Sequence, residues 1–163
     1  MGKARSYEII EYRKKIMTEI CQSKELVKLL GFENEEYPED IIPYNRIFPH
    51  EFIPEAIDET NKYINFDIKA RLDTRNPVFK ELTIYFFVVC HQKVVRYKDK
   101  GREYLWYDKV VCELDNLFSE QNKLGIGKMM LIDNVPYYPQ QKFKGRMLTF
   151  TVTDFNNGLK YGK

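Results

Sequence analysis

Two histidines and three cysteines are the residues best suited to catalysis, and their spacing gives them little to do. Neither His50 nor His91 has a second His, Cys, Asp or Glu at metal-ligand spacing on its own element. Cys90 directly precedes His91, and neighbouring residues on a strand point to opposite faces, so they do not form a nucleophile–base pair. His91 is therefore expected in a structural or surface role. Asp67, Asp73 and Glu81 are the acids closest to a nuclease-like metal site, which needs them convergent beside a basic residue on neighbouring strand ends. Asp73 falls in a turn, however, and Glu81 is followed by Leu82 and Thr83 rather than by a Glu-x-Lys step. The glycine-bearing LGIGK at 124–128 lacks the spacing and terminal Ser/Thr of a phosphate-binding loop, and it follows a helix instead of a strand. It reads as a helix stop and a turn into a strand. These residues are expected to form no catalytic, metal or cofactor site.

The bulk properties bound the class. A chain of 163 residues, 44% hydrophobic and 31% charged, is one domain with enough apolar surface for a core. The net charge of +2 creates no field that compels binding to nucleic acid or to an anionic membrane. Cys21, Cys90 and Cys112 are an odd number without paired spacing, which predicts free thiols and synthesis in a cytoplasm. The start, MGKARSYEII, lacks the apolar segment of a signal peptide, and no apolar run reaches membrane length. Gly2 with Ser6 formally fits a myristoylation pattern, discounted because no second membrane signal accompanies it. Twelve tyrosines and eleven phenylalanines are more than a small core requires, and aromatics are favoured in protein interfaces as well as in cores.

Three segments follow: helical residues 1–31, a proline-rich arm at 32–60, and a sheet-and-helix core at 61–163. In the first, Ser6 is placed to cap a helix, and Ile9, Ile16, Ile20 and Val27 recur at helical spacing. A break is expected near Ser23, and Gly31 ends the segment. The arm holds Pro38, Pro43, Pro49 and Pro54, which exclude a continuous helix or a central strand. Its Ile41, Ile42, Ile47, Phe48, Phe52 and Ile53 are too apolar for a solvated linker, so it is expected to pack on its own domain or on a neighbour. Then NKYINFDIKARL alternates strictly, with one wet face formed by Tyr63, Asn65, Asp67, Lys69 and Arg71. After the DTRNPV turn, Leu82, Ile84, Phe86, Val88 and Cys90 form one face of the strongest strand, and Tyr85, Phe87 and Val89 make the other apolar too. Such a strand needs a cover on each side. A charged KDKGRE loop leads to a helix with the stripe Tyr107, Val110, Val111, Leu114, Leu117 and Phe118, ended near Gly125. GKMMLIDNV is a short strand, PYYPQQ a loop, and KFKGRMLTFTVTDFNNG a last strand with Leu148, Phe150 and Val152 on one side. The fold class is α+β: an antiparallel sheet flanked by helices, in the order helix, long arm, strand, strand, helix, strand, strand.

That layout resembles the head–tail joining proteins of tailed bacteriophages and prophages, above all the tail terminators. The resemblance is carried by IDETNKYINFDIKARLDTRNPVFKELTIYFFVVCHQ, YDKVVCELDNLFSEQN, GIGKMMLI and YYPQQKFKGRMLTFTVTDFN, about residues 57–156. It implies no enzyme activity. It implies instead a ring, commonly a hexamer, that closes the tail tube and docks to a head connector or stopper, with DNA passing transiently through the channel. The protein would be made in the bacterial cytoplasm and end in the virion. The long arm departs from the simplest members and leaves the station within the neck open among terminator, stopper and connector. A ring needs two complementary patches per subunit. The expected self-contact residues are Tyr85, Phe87 and Val89 on the strong strand, Ile47, Phe48 and Phe52 of the arm, and Phe150 and Val152 of the last strand, whose 148–155 edge is free to pair with a neighbour. Lys98, Lys100, Arg102, Lys142, Lys144 and Arg146 are expected to face the lumen or a partner ring. The rival reading is a single-stranded nucleic-acid-binding module, with strand aromatics in YINFDIK and IYFF to stack bases and Lys142, Lys144 and Arg146 to meet phosphates.

Overall fold

The computed structural model describes residues 6–156. Gly2 of the lipidation pattern and the Asn157-Gly158 pair lie outside the described residues. The N-terminal apolar stripe forms two helices, α1 (Tyr7–Gln22) and α2 (Lys24–Leu30). Ser23 breaks them by turning extended, and its hydroxyl accepts the Leu26 N–H at 3.4 Å. Gly31 ends α2 in the left-handed conformation at φ 86°, donating its N–H to the Lys28 carbonyl. Ser6 departs from expectation: its backbone is already helical, and its side chain makes no capping bond.

The arm contains one helical turn, α3 (Pro38–Ile41), and a two-residue strand, β1 (Ile47–Phe48). Beyond it come β2 (Lys62–Leu72) and β3 (Phe79–His91), then a hairpin of β4 (Arg96–Asp99) and β5 (Arg102–Leu105). Helix α4 (Trp106–Phe118), β6 (Met130–Gln140) and β7 (Phe143–Phe155) complete the order. The fold is α+β, with a five-stranded sheet ordered β1-β2-β3-β7-β6 beside the separate β4-β5 pair. The sheet is mixed rather than purely antiparallel, because β1 runs parallel to β2.

Four elements depart from the sequence reading. The KDKGRE stretch is the tip of the β4-β5 hairpin, where Lys100 and Gly101 both take positive φ, as a two-residue turn between twisted strands requires. PYYPQQ is not a loop: Pro136 and Pro139 lie within β6, which tolerates them because it is an edge strand. Helix α4 stops at Ser119, which turns extended; Gly125 comes later, in the turn before β6, where a Cβ would lie 2.7 Å from the Thr153 carbonyl. And β7 is not a free edge, since it pairs with β3 on one side and β6 on the other.

The even-numbered face of the sheet buries the main core against α1, α2 and α4. Leu82, Ile84, Phe86 and Val88 are fully covered there, together with Phe66 and Phe150 from the flanking strands. Trp106 opens α4 in the same core and donates its indole N–H to the Leu29 carbonyl at 2.7 Å, fixing α4 to α2.

Candidate functional site

The second face of the sheet divides into a covered half and an open half. Phe48 and Phe52 of the arm stack on each other with centroids 3.9 Å apart and lie on Tyr63, Val89 and Phe143. Asn65 secures the crossing by donating its amide to the Phe52 carbonyl at 2.7 Å. Tyr63 and Asn65, expected on a wet face, are therefore buried. Three polar atoms buried in or beside this half, Asn65 Oδ1, His91 Nε2 and Gln140 Oε1, have no hydrogen-bond partner among the described residues. His91 itself is fully buried, its Nδ1 accepting the Lys93 N–H and its ring set edge-on to Phe143.

Beyond the arm the same face stays open among the described residues. Tyr85 and Phe87 of β3 are half-buried, opposite Thr149 and Met147 of β7. Phe87 also lies 5.3 Å from Tyr137 of β6. Four of the other expected interface residues are not accessible. Ile47, Val89, Phe150 and Val152 are enclosed by the chain's own core, Phe150 and Val152 because their parity points them at the helices. Phe48 and Phe52 are half-buried on their own sheet.

The basic residues gather near one end of the sheet without forming a single patch. Lys142, in the β6-β7 turn, pairs with Asp58 at 2.5 Å, and that contact holds the Asp58 carboxyl below its usual range. The Gln92 N–H donates to the Lys142 carbonyl, so this turn adjoins the segment leading into the hairpin. Lys98, Lys100 and Arg102 are exposed on that hairpin. Lys144 lies 5.1 Å over the ring of Tyr138, which is 59% exposed. Arg146 is held by Asn134, through its side-chain and backbone oxygens at 2.5 and 2.8 Å.

Asp67, Asp73 and Glu81 do not converge. Asp67 binds Arg13 at 2.6 Å, Asp73 accepts the Arg75 N–H in the turn, and Glu81 is exposed on the second face. Among the described residues no group of three or more His, Cys, Asp or Glu is placed to hold a metal ion, and no helix is long and apolar enough to cross a membrane. The LGIGK stretch is a turn whose Ile126 and Gly127 N–H groups both donate to the Thr153 carbonyl.

A polar cluster escaped the sequence reading. Lys80, 4% exposed, pairs with Glu8 at the start of α1 and sits 5.3 Å from the Tyr12 ring. Tyr12 donates to Asp154, and burial followed by that carboxylate pushes the phenol's pKa up. A signal exists in the sequence: Lys80 shares parity with Leu82, Ile84 and Phe86, which puts a charge in phase with the core-facing set.

No curated protein matches the chain. A family model does: that of YomW, over residues 23–152, a span from the break between α1 and α2 into the C-terminal half of β7. The chain thus belongs to the YomW family, named after a Bacillus phage or prophage gene of the SPbeta type, and is phage-related.

Proposed function

We propose that this chain is a non-enzymatic structural subunit of a phage neck, one copy of a ring that caps the tail tube and joins it to the head connector or stopper. The virion is then its final location. The observation that carries the reading is the open half of the second sheet face. Tyr85, Phe87 and Met147 leave apolar surface on a rigid sheet that the chain's own arm does not reach. Rigid, half-exposed aromatics on a strand suit a protein contact, because they bury much area while losing little side-chain freedom. Phage-related membership agrees with an assembly role.

Phe87→Asp tests this reading. The charge sits on the open face, so the variant retains native helix content and unfolds cooperatively, while self-association or binding to tail tubes is lost in sedimentation velocity. A wild-type chain that remains monomeric and ignores tail tubes defeats the proposal.

One observation favours a second reading, single-stranded nucleic-acid binding. Tyr138 is exposed and carries the Lys144 ammonium beside its ring, a pairing that offers a base a stacking surface and a phosphate a charge. Oligonucleotide binding that weakens with salt and disappears in Tyr138→Ala supports it; no binding at low salt removes it.

A further inference from the structure

We infer that copies join edge to edge, the open stretch of β6 in one pairing antiparallel with the open stretch of β2 in the next, so that the five-stranded sheets run on from copy to copy. This deepens the ring reading above and rests on it.

Both edges of the sheet are half closed and half open, and the open halves lie at the same end. On the β2 side, β1 covers Ile64 and Asn65, leaving the outer edge of Asp67 to Leu72 without a strand among the described residues, with the Ile68 N–H held by the Asp67 carboxylate. On the β6 side, Pro136 and Pro139 blunt one half, because proline has no N–H to give a neighbouring strand. That leaves the stretch from Met130 to Val135, in which the Asn134 carbonyl also accepts from Arg146. The ladders show the two open stretches to be nearly level: Asp133 pairs with Thr149, Thr149 with Tyr85, and Tyr85 with Asp67.

Strand direction fits as well. Neighbours from β2 through β3 and β7 to β6 are antiparallel at each step, so β6 runs opposite to β2. A second copy placed beside β6 through its own β2 therefore continues the antiparallel alternation. The contact is heterologous, as a closed ring demands.

Side chains select the register and the occupant. Level pairing would set Asp133 against the next copy's Asp67, two like charges. A shift of two residues sets Asp133 against Lys69 and, with the irregularity between Leu131 and Asp133 carried across, Leu131 against Ala70. A two-residue step keeps each side chain on its own face. Asp133 and Lys69 are exposed, and neither makes an ion pair among the described residues.

Two charge reversals test the pairing. Asp133→Lys alone faces Lys69 with a like charge, and Lys69→Glu alone faces Asp133 with one, so each variant associates at least about tenfold more weakly than the wild type in sedimentation velocity. Mixed in equal amounts they restore assembly when the two variants alternate. At one junction the lysine introduced in the first variant then meets the glutamate introduced in the second, and at the next junction Asp133 and Lys69 meet as in the wild type. If each variant assembles as the wild type does, or if the mixture fails to recover, the edge pairing is wrong while the ring reading survives. A wild-type chain that stays monomeric and ignores tail tubes overturns both. A monomer that binds a tail-tube subunit, and loses that binding in Asp133→Lys, gives the edge to that partner and overturns the pairing between copies.

Discussion

Gly145 of β7 lies flat against the backbone of β3: a Cβ at this position would stand 1.7 Å from the Val88 carbonyl oxygen. No rotamer relieves an overlap with backbone, so only glycine fits. Gly145→Ala is expected to cost at least about 3 kcal/mol and to loosen the β3-β7 ladder, where the sheet is most buried. Urea unfolding measures the loss, and amide exchange around Val88 locates it.

The Lys80–Glu8 pair, its lysine buried and its glutamate half-buried, joins α1 to the central strand. Removing one partner of a buried pair leaves the other desolvated, so Glu8→Gln should destabilise the fold by about 3 kcal/mol. Lys80→Met, which fills similar volume without a charge, should lose less. Equal losses in thermal or urea unfolding would show that the Lys80 stem, and not its charge, holds α1.

Alkaline pH should destabilise the protein. Burial, helped by Glu39, pushes the Cys21 thiol up to about 11, and burial pushes Cys90 up to about 12 against the opposing Lys62. In the unfolded chain both titrate near the ordinary value of 9.0. Above that pH the unfolded state binds fewer protons than the folded one, so this contribution is intact below pH 9 and is lost as pH rises through 11 to 12. The raised Tyr12 phenol acts in the same direction. Urea midpoints taken stepwise from about pH 8 to about pH 10, spanning the ordinary thiol range, should fall. Pulsed alkylation there should modify exposed Cys112 in the native protein and reach Cys21 and Cys90 only on unfolding.

The arm is fastened by its aromatics. Phe52→Ala removes a half-buried ring stacked on Phe48 and set edge-on to Tyr63, at an expected cost of about 2 kcal/mol. Amide exchange should quicken first at Ile64, whose N–H is bonded to the Arg46 carbonyl of the arm, and at Tyr63 beside it. Unchanged exchange in the arm would mean that Arg13, which holds the Pro49 carbonyl and Asp67 together, is the stronger fastening.

Local period makes the main elements legible. The alternation in β2 and β3, the α4 stripe, the break at Ser23 and the Gly31 stop are each written in a few neighbouring residues. What escapes a sequence reading depends on distant partners. Tyr63 and Asn65 alternate as a wet face should, and only the arm's position buries them. Phe150 and Val152 do form one apolar side of a strand, as their spacing says. Strand order, which no local pattern encodes, decides that this side meets the chain's own helices. Pro136 and Pro139 argue for a loop, and only the edge position of β6 explains them within a strand.

The place of β7, last of the strands in chain order yet between β3 and β6, bears on synthesis at the ribosome. Until residues 143–155 have been translated, β6 has no partner at all and the greasy flank of β3 stands bare on the side that β7 will occupy. Nascent chains must therefore wait for β7 before the ladder can close, a delay that invites chaperone binding and proteolysis. A premature stop within β7 would remove the keystone of the sheet.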